Sequence, residues 1–190
     1  KDAEIFNTMG VVLVGGKSSR MKVDKSTLII DGHTNLQRAQ TLLTRCDVND
    51  VVMSGKAVGQ IPDYYIGGGP LAGILAVINA KQPAAILVIP VDMPLLTPDI
   101  INPLINHGQK LSLACCYQDH SLPIYLPVTD TLIDFLDDEF TSTRYRVHHK
   151  GPSFKHLLKH IGCEYLPTPQ PQLLANANTP AQWNSVIKLL

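Results

Sequence analysis

The sequence lacks an excess of either charge: 16 Lys+Arg stand against 16 Asp+Glu in 190 residues. A surface built for nucleic acid or an anionic membrane needs a basic surplus, so neither partner is expected, and any anion must be met by a few placed cations and backbone N–H groups. It also lacks an apolar run approaching the ~20 residues that span a bilayer. Cysteines occur only at 46, 115, 116 and 163, with no Cys-x-x-Cys spacing to suggest a zinc ribbon or a thioredoxin-type site. Four thiols inside apolar segments read as small core residues of a reducing compartment. With no secretory signal visible, the expected location is cytoplasmic. A hydrophobic share of 45% with 17% charge places the chain among globular rather than disordered proteins.

What is present is an alternation of short β-rich runs and longer helical ones. The expected strands are Met9–Val14, Val51–Ser54, Ala85–Val91, Leu111–Tyr117, Pro123–Pro127 and Cys163–Leu166, each rich in Val, Ile and Leu or bounded by Gly and Pro. Ile86-Leu87-Val88-Ile89 is apolar at every position, as a strand covered on both faces should be. Leu36, Ala39, Leu43 and Cys46 share a helical face after a cap at Thr34 or Asn35, and Pro70–Lys81 opens on a first-turn proline. Thr97-Pro98 and Thr179-Pro180 mark two further helix starts, the second with Gln182 placed to complete a capping box. Strand and helix in alternation predict one three-layer α/β domain over residues 1–190: a mainly parallel, Rossmann-like sheet with helices on both faces.

Three segments carry chemistry. In the first, the buried run Val11-Val12-Leu13-Val14 enters Gly15-Gly16, followed by Arg20, Lys22 and Lys25. Glycines allow a sharp turn and close backbone approach to a ligand, and the cations suit phosphate. The Walker A spacing fails because the residues before Gly16-Lys17-Ser18 are the strand itself. The companions of a Ser-x-x-Lys nucleophile are missing too. The second segment is Gly67-Gly68-Gly69-Pro70-Leu71-Ala72-Gly73. In the third, Asp92 follows a buried strand and lies between Pro90 and Pro94, at the strand end where open α/β sheets bind ligands. A single carboxylate working with substrate phosphates is a usual way to hold Mg²⁺. By contrast, His148, His149, His156 and His160 read as a solvated basic face, with no acidic neighbour in sequence to complete a metal site.

Taken in order, these segments resemble the molybdenum cofactor guanylyltransferases, the MobA-like branch of the nucleotidyltransferases. Leu13-Val14-Gly15-Gly16-Lys17-Ser18-Ser19-Arg20-Met21-Lys22-Val23-Asp24-Lys25 follows that family's opening motif, with Val14 and Lys22 where the family has Ala and Gly. Asp63 precedes Gly69-Pro70-Leu71-Ala72-Gly73, Asp92-Met93-Pro94 matches the metal-binding strand end, and Asn176-Ala177-Asn178-Thr179-Pro180 matches the C-terminal motif. The family's Asn after the second main strand has no counterpart near Ser54.

The resemblance implies transfer of GMP from Mg–GTP to the terminal phosphate of a molybdenum-molybdopterin cofactor, releasing pyrophosphate. It also implies roles. Leu13, Val14, Gly15 and Gly16 line the nucleotide, and Asp63 recognises the nucleoside. Lys25 contacts phosphate, Arg20 assists the leaving pyrophosphate, Asp92 holds Mg²⁺, and Asn176 and Asn178 lie on the acceptor side. It leaves room for proteins that deliver the cofactor or accept the product. Two other readings stay open at this point: a transferase using CTP or a sugar-phosphate acceptor, and a non-catalytic nucleotide- or cofactor-binding homologue.

Overall fold

A computed structural model describes residues 7–15, 25–168 and 170–190. Six strands form the main sheet: β1 (Thr8–Leu13), β4 (Asp50–Ser54), β5 (Ala85–Pro90), β6 (Ala114–Tyr117), β7 (Ile124–Pro127) and β8 (Cys163–Leu166), in the order β4-β1-β5-β7-β6-β8. Only β7 runs against the others, pairing antiparallel with both β5 and β6. A two-stranded ribbon, β2 (Ile29–Ile30) and β3 (His33–Thr34), stands apart. The sequence reading has no strands there, because two-residue strands carry no periodicity.

Side-chain alternation divides the core. Val11, Leu13, Ile86 and Val88 point to one face, where they meet α2 (Pro70–Lys81), α4 (Asp130–Thr141), α5 (Thr143–His148) and α6 (Phe154–Ile161). Val12, Leu87 and Ile89 point to the other, against α1 (Asn35–Thr44) and α3 (Pro98–Leu111). Helices therefore cover both faces, the α/β layering expected. Most expected strand boundaries move by one residue, and the largest shift is at Leu111, which ends α3 rather than starting a strand; Ser112, at φ 53°, turns the chain into β6.

A third, smaller apolar cluster sits beside the sheet. Ile30 of the ribbon and Leu95 pack with Ala177, Trp183 and Val186, the last two from α7 (Pro180–Ile187). It ties a segment near the N-terminus to the C-terminal helix, and so brings two distant motifs together.

Strand register sets the level of the site. Leu13 is opposite Ser54 on one side and Pro90 on the other. These three parallel strands thus end in one row, and the pairing continues as Val14 N–H donates to Ser54 O at 2.9 Å and Val91 N–H to Leu13 O at 3.2 Å. Gly15 and Asp92 each lie two residues beyond that row, on the same rim.

Candidate active site

Asp92 extends past β5 with its side chain 21% exposed. Its carboxylate Oδ2 accepts from Lys25 Nζ at 3.1 Å, and the same ammonium donates to Asn178 Oδ1 at 2.5 Å. Three residues spread from position 25 to position 178 thus meet around one positive charge. Asp92 also holds the C-terminal segment directly, since its carbonyl accepts from Ala177 N–H at 2.9 Å.

Local structure explains how Lys25 gets there. It opens a 3-10 turn over Lys25–Thr27, and Asn35, 2% exposed, donates from Nδ2 to the Lys25 carbonyl at 3.1 Å. The cap of α1 falls to Thr34, in a complete capping box with Gln37. Asn35 is thereby released from capping and serves as a strut for the lysine backbone. Sequence reasoning missed that role because Asn beside Thr at a helix start looks like an alternative cap. The apolar cluster around Trp183 then packs the ribbon against α7, near the point where Lys25 meets Asp92 and Asn178.

The C-terminal motif departs from the expected cap by one residue. Thr179 Oγ1 accepts from Gln182 N–H at 3.2 Å, but Gln182 Oε1 accepts from Asn178 N–H at 2.9 Å rather than from that of Thr179. The Asn178 side chain takes no part in capping and is spent on Lys25. Asn176 lines a cavity of about 360 Å³ with Pro90, Asp92, Met93 and the β6–β7 turn residues Asp119, His120, Ser121 and Leu122. Asp119, His120 and Ser121 form no spacing motif in the sequence and join the candidate site only through this cavity wall.

Leu13 is buried at the end of β1, Val14 is half-buried and Gly15 exposed. Asp63 lies in the loop between β4 and α2, and its charge helps push the Tyr145 phenol above its ordinary pKa, after the larger effect of burial. Gly16 and Arg20 lie outside the described residues, so the structure does not speak to them. The four histidines do not gather. His156 Nδ1 lies 3.6 Å from Glu139 Oε1, an acidic neighbour that sequence distance had hidden, and both His156 and His160 pack on the Phe135 ring.

Asp92 and Asn178 aim two oxygens at one cation, here an ammonium. That donor set suits a hard divalent ion completed by substrate phosphates and water. Among the described residues no three His, Cys, Asp or Glu side chains cluster to form a metal cage.

The family profile of the MobA-like NTP transferase domain matches residues 10–137. The chain belongs to the MobA-like NTP transferases. A molybdenum cofactor guanylyltransferase from Xanthomonas euvesicatoria pv. vesicatoria is 32% identical over 183 residues, covering 94% of this chain and 93% of that protein. The fold matches molybdopterin-guanine dinucleotide biosynthesis protein A from Archaeoglobus fulgidus with a TM-score of 0.72 at 19% identity, over 95% and 97% of the two chains. It also matches a Mycobacterium tuberculosis protein solved in complex with manganese, with a TM-score of 0.62 at 14% identity over 97% and 100%. The profile match takes in the first strand end, Lys25, Asp63 and Asp92, while Asn176 and Asn178 lie beyond it. In this MobA-like transferase the C-terminal segment, beyond the profile match, brings Asn178 to Lys25 and Ala177 N–H to Asp92 O.

Proposed function

We propose that this chain transfers GMP from GTP to the terminal phosphate of a molybdenum-molybdopterin cofactor, releasing pyrophosphate. The observation that carries the reading is the meeting of Lys25, Asp92 and Asn178 at the rim where β1 and β5 end. The guanylyltransferase named above, alike over almost the whole of both chains, supports the choice of substrates.

In this reading an oxygen of the acceptor phosphate forms a bond to the α-phosphorus of GTP. The bond from that phosphorus to the β-phosphate oxygen breaks, and pyrophosphate leaves with the electron pair. No side-chain base is needed, because the acceptor phosphate is already ionised near neutral pH. The protein must instead overcome repulsion between two anions and hold them in line. Lys25 Nζ supplies fixed positive charge, positioned before substrate arrives by Asp92, Asn178 and the Asn35 strut. Main chain at Leu13–Gly15 borders the nucleotide and Asp63 recognises the nucleoside; by the family resemblance Gly16 serves the nucleotide too and Arg20 assists the leaving pyrophosphate. Asn176 faces the acceptor from the cavity wall, and Asn178, bonded to Lys25, completes the acceptor side.

Asp92 and Asn178 would hold Mg²⁺, which when bound neutralises phosphate charge and stabilises what develops at the α-phosphorus. The described residues include no helix long and apolar enough to cross a membrane, and all four cysteines are free thiols, in keeping with action in a reducing cytoplasm. Proteins that deliver the cofactor or take up its product are the partners this activity would call for.

The test is pyrophosphate release with GTP, ATP and CTP, with Mg²⁺ and with EDTA, and mass detection of the dinucleotide product. GTP-selective, metal-dependent release that requires the molybdopterin acceptor is expected. Preference for CTP, or binding without turnover, would move the chain to another branch.

A further inference from the structure

The loop between β4 and α2 carries Asp63 and runs through Gly67-Gly68-Gly69 into the helix. Two of its side chains do little to hold it: Tyr64 is 87% exposed and Ile66 78%. What fixes it comes from the other end of the chain. Tyr145 of α5, only 6% exposed, donates from its hydroxyl to Ile66 O at 2.7 Å. Gly151, in the turn between α5 and α6, donates its N–H to Gly67 O at 3.2 Å.

The two backbones approach too closely for side chains. A Cβ on Gly67, whose φ is 68°, would run into the His149 carbonyl, and one on Gly151 into the Gly68 carbonyl. Tyr65 locks the near side, its ring stacked on Phe140 at 4.5 Å and edge-on to Tyr145 at 5.6 Å. On the far side the loop continues into α2, whose Gly73 lies against Ser54 Oγ and Leu13. Through Gly73 the helix that follows the loop lies in contact with the ends of β1 and β4.

We propose that Tyr145 is a positioning residue for nucleotide recognition: with Gly151 it latches the Asp63–Gly69 loop, and so sets GTP affinity and base selectivity from outside the site. This rests on the reading of that loop as a nucleoside contact. A phenol is protonated throughout the neutral range, and burial, then the Asp63 charge, moves its pKa higher still, so the latch keeps its donor. Lys25 and Asp92 stand outside the latch, so it bears on binding rather than on the chemical step.

Tyr145→Phe removes one hydroxyl and keeps the aromatic packing. Expected are a GTP KM and Kd raised about two- to tenfold, the factor of one neutral hydrogen bond, with kcat unchanged. GTP-over-ATP selectivity should fall and amide exchange at residues 66–69 should quicken. Gly151→Ala, which pushes on the same loop from the second contact, should move KM in the same direction. A wild type that binds GTP and ATP equally defeats the functional reading and the inference with it. A GTP-selective wild type whose Tyr145→Phe variant keeps the same GTP KM defeats the inference alone. So does a variant whose kcat and melting temperature fall while KM stays put.

Discussion

Lys25→Ala separates two consequences of one side chain that carry opposite signs. The Nζ atom lies 3.1 Å from Asp92 Oδ2 and 2.5 Å from Asn178 Oδ1, on a side chain 16% exposed. Charge-assisted hydrogen bonds are worth about 1.5–3 kcal/mol each. Loss of one such contact to phosphate in the transition state lowers kcat/KM by about ten- to 150-fold. Stability should suffer far less. The abandoned Asp92 carboxylate is 21% exposed and water can reach it, so the cost stays near the ~1 kcal/mol of an accessible pair. A chain of this size then melts about 2–4 °C lower.

The metal dependence should move the other way. With the ammonium gone, the Asp92 and Asn178 oxygens face an uncompensated negative field, so half-maximal activation should need less Mg²⁺ even as the maximal rate drops. Steady-state pyrophosphate release across an Mg²⁺ titration, with a melting curve on the same preparation, reads all three quantities. A variant with wild-type kcat/KM, or one whose rate loss tracks unfolding, would refute the assignment. So would an Mg²⁺ requirement that rises.

Asp92→Asn keeps the shape of the site and should abolish Mg²⁺-dependent turnover with little change in melting temperature; retained turnover would exclude it as the metal carboxylate. Thr179→Ala should lower stability by about 1 kcal/mol, as lost caps do, whereas Asn178→Ala should lower the rate at saturating GTP, and the reverse pattern would return Asn178 to a capping role. Burial holds the Cys46 and Cys115 thiols up at about 11 and about 12, while the hydrogen bond shared by the Cys116 and Cys163 sulfurs at 3.5 Å brings the Cys163 thiol below its ordinary pKa and pushes Cys116 up. Iodoacetamide near pH 8 should therefore label Cys163 first in the native protein, and Cys116→Ala should slow that labelling by raising the Cys163 pKa; mass mapping that finds Cys46 or Cys115 first would contradict the order.

Much of the fold was legible because its signals are local. The six sheet strands announce themselves as short β-rich runs, and α2 begins and ends where Pro70 and Lys81 suggested. The rim is legible for the same reason: strands that enter glycine or proline at matching points end in one row once they pair in parallel, as Leu13, Ser54 and Pro90 do. The ribbon at Ile29–Thr34 was not legible, since two residues per strand leave no alternation to read. Nor was the end of α3, which continues past Pro103 to Leu111 because amphipathic burial of Ile101, Leu104 and Ile105 outweighs one missing N–H.

The site shows the same division more sharply. Asp92 could be singled out from its place after a buried strand, but nothing local says that Asn178, rather than Thr179 beside it, would face Lys25. That outcome is decided by Trp183 and Val186, which form a core with Ile30 and Leu95 rather than with the main sheet. Once α7 is seated there, the Ala177 N–H reaches Asp92 O, and the next side chain has the active-site rim in front of it. Gln182 then accepts from Asn178 N–H instead of closing the box on Thr179, which turns the asparagine backbone and leaves its amide free for the ammonium. A one-residue slip in a cap, invisible to spacing, is thus what lets the residue before a helix start bond across the fold to Lys25. It also explains why Asn178 can be tested apart from Thr179: the two are adjacent in sequence, yet one bonds across the fold to Lys25 and the other only to its own helix.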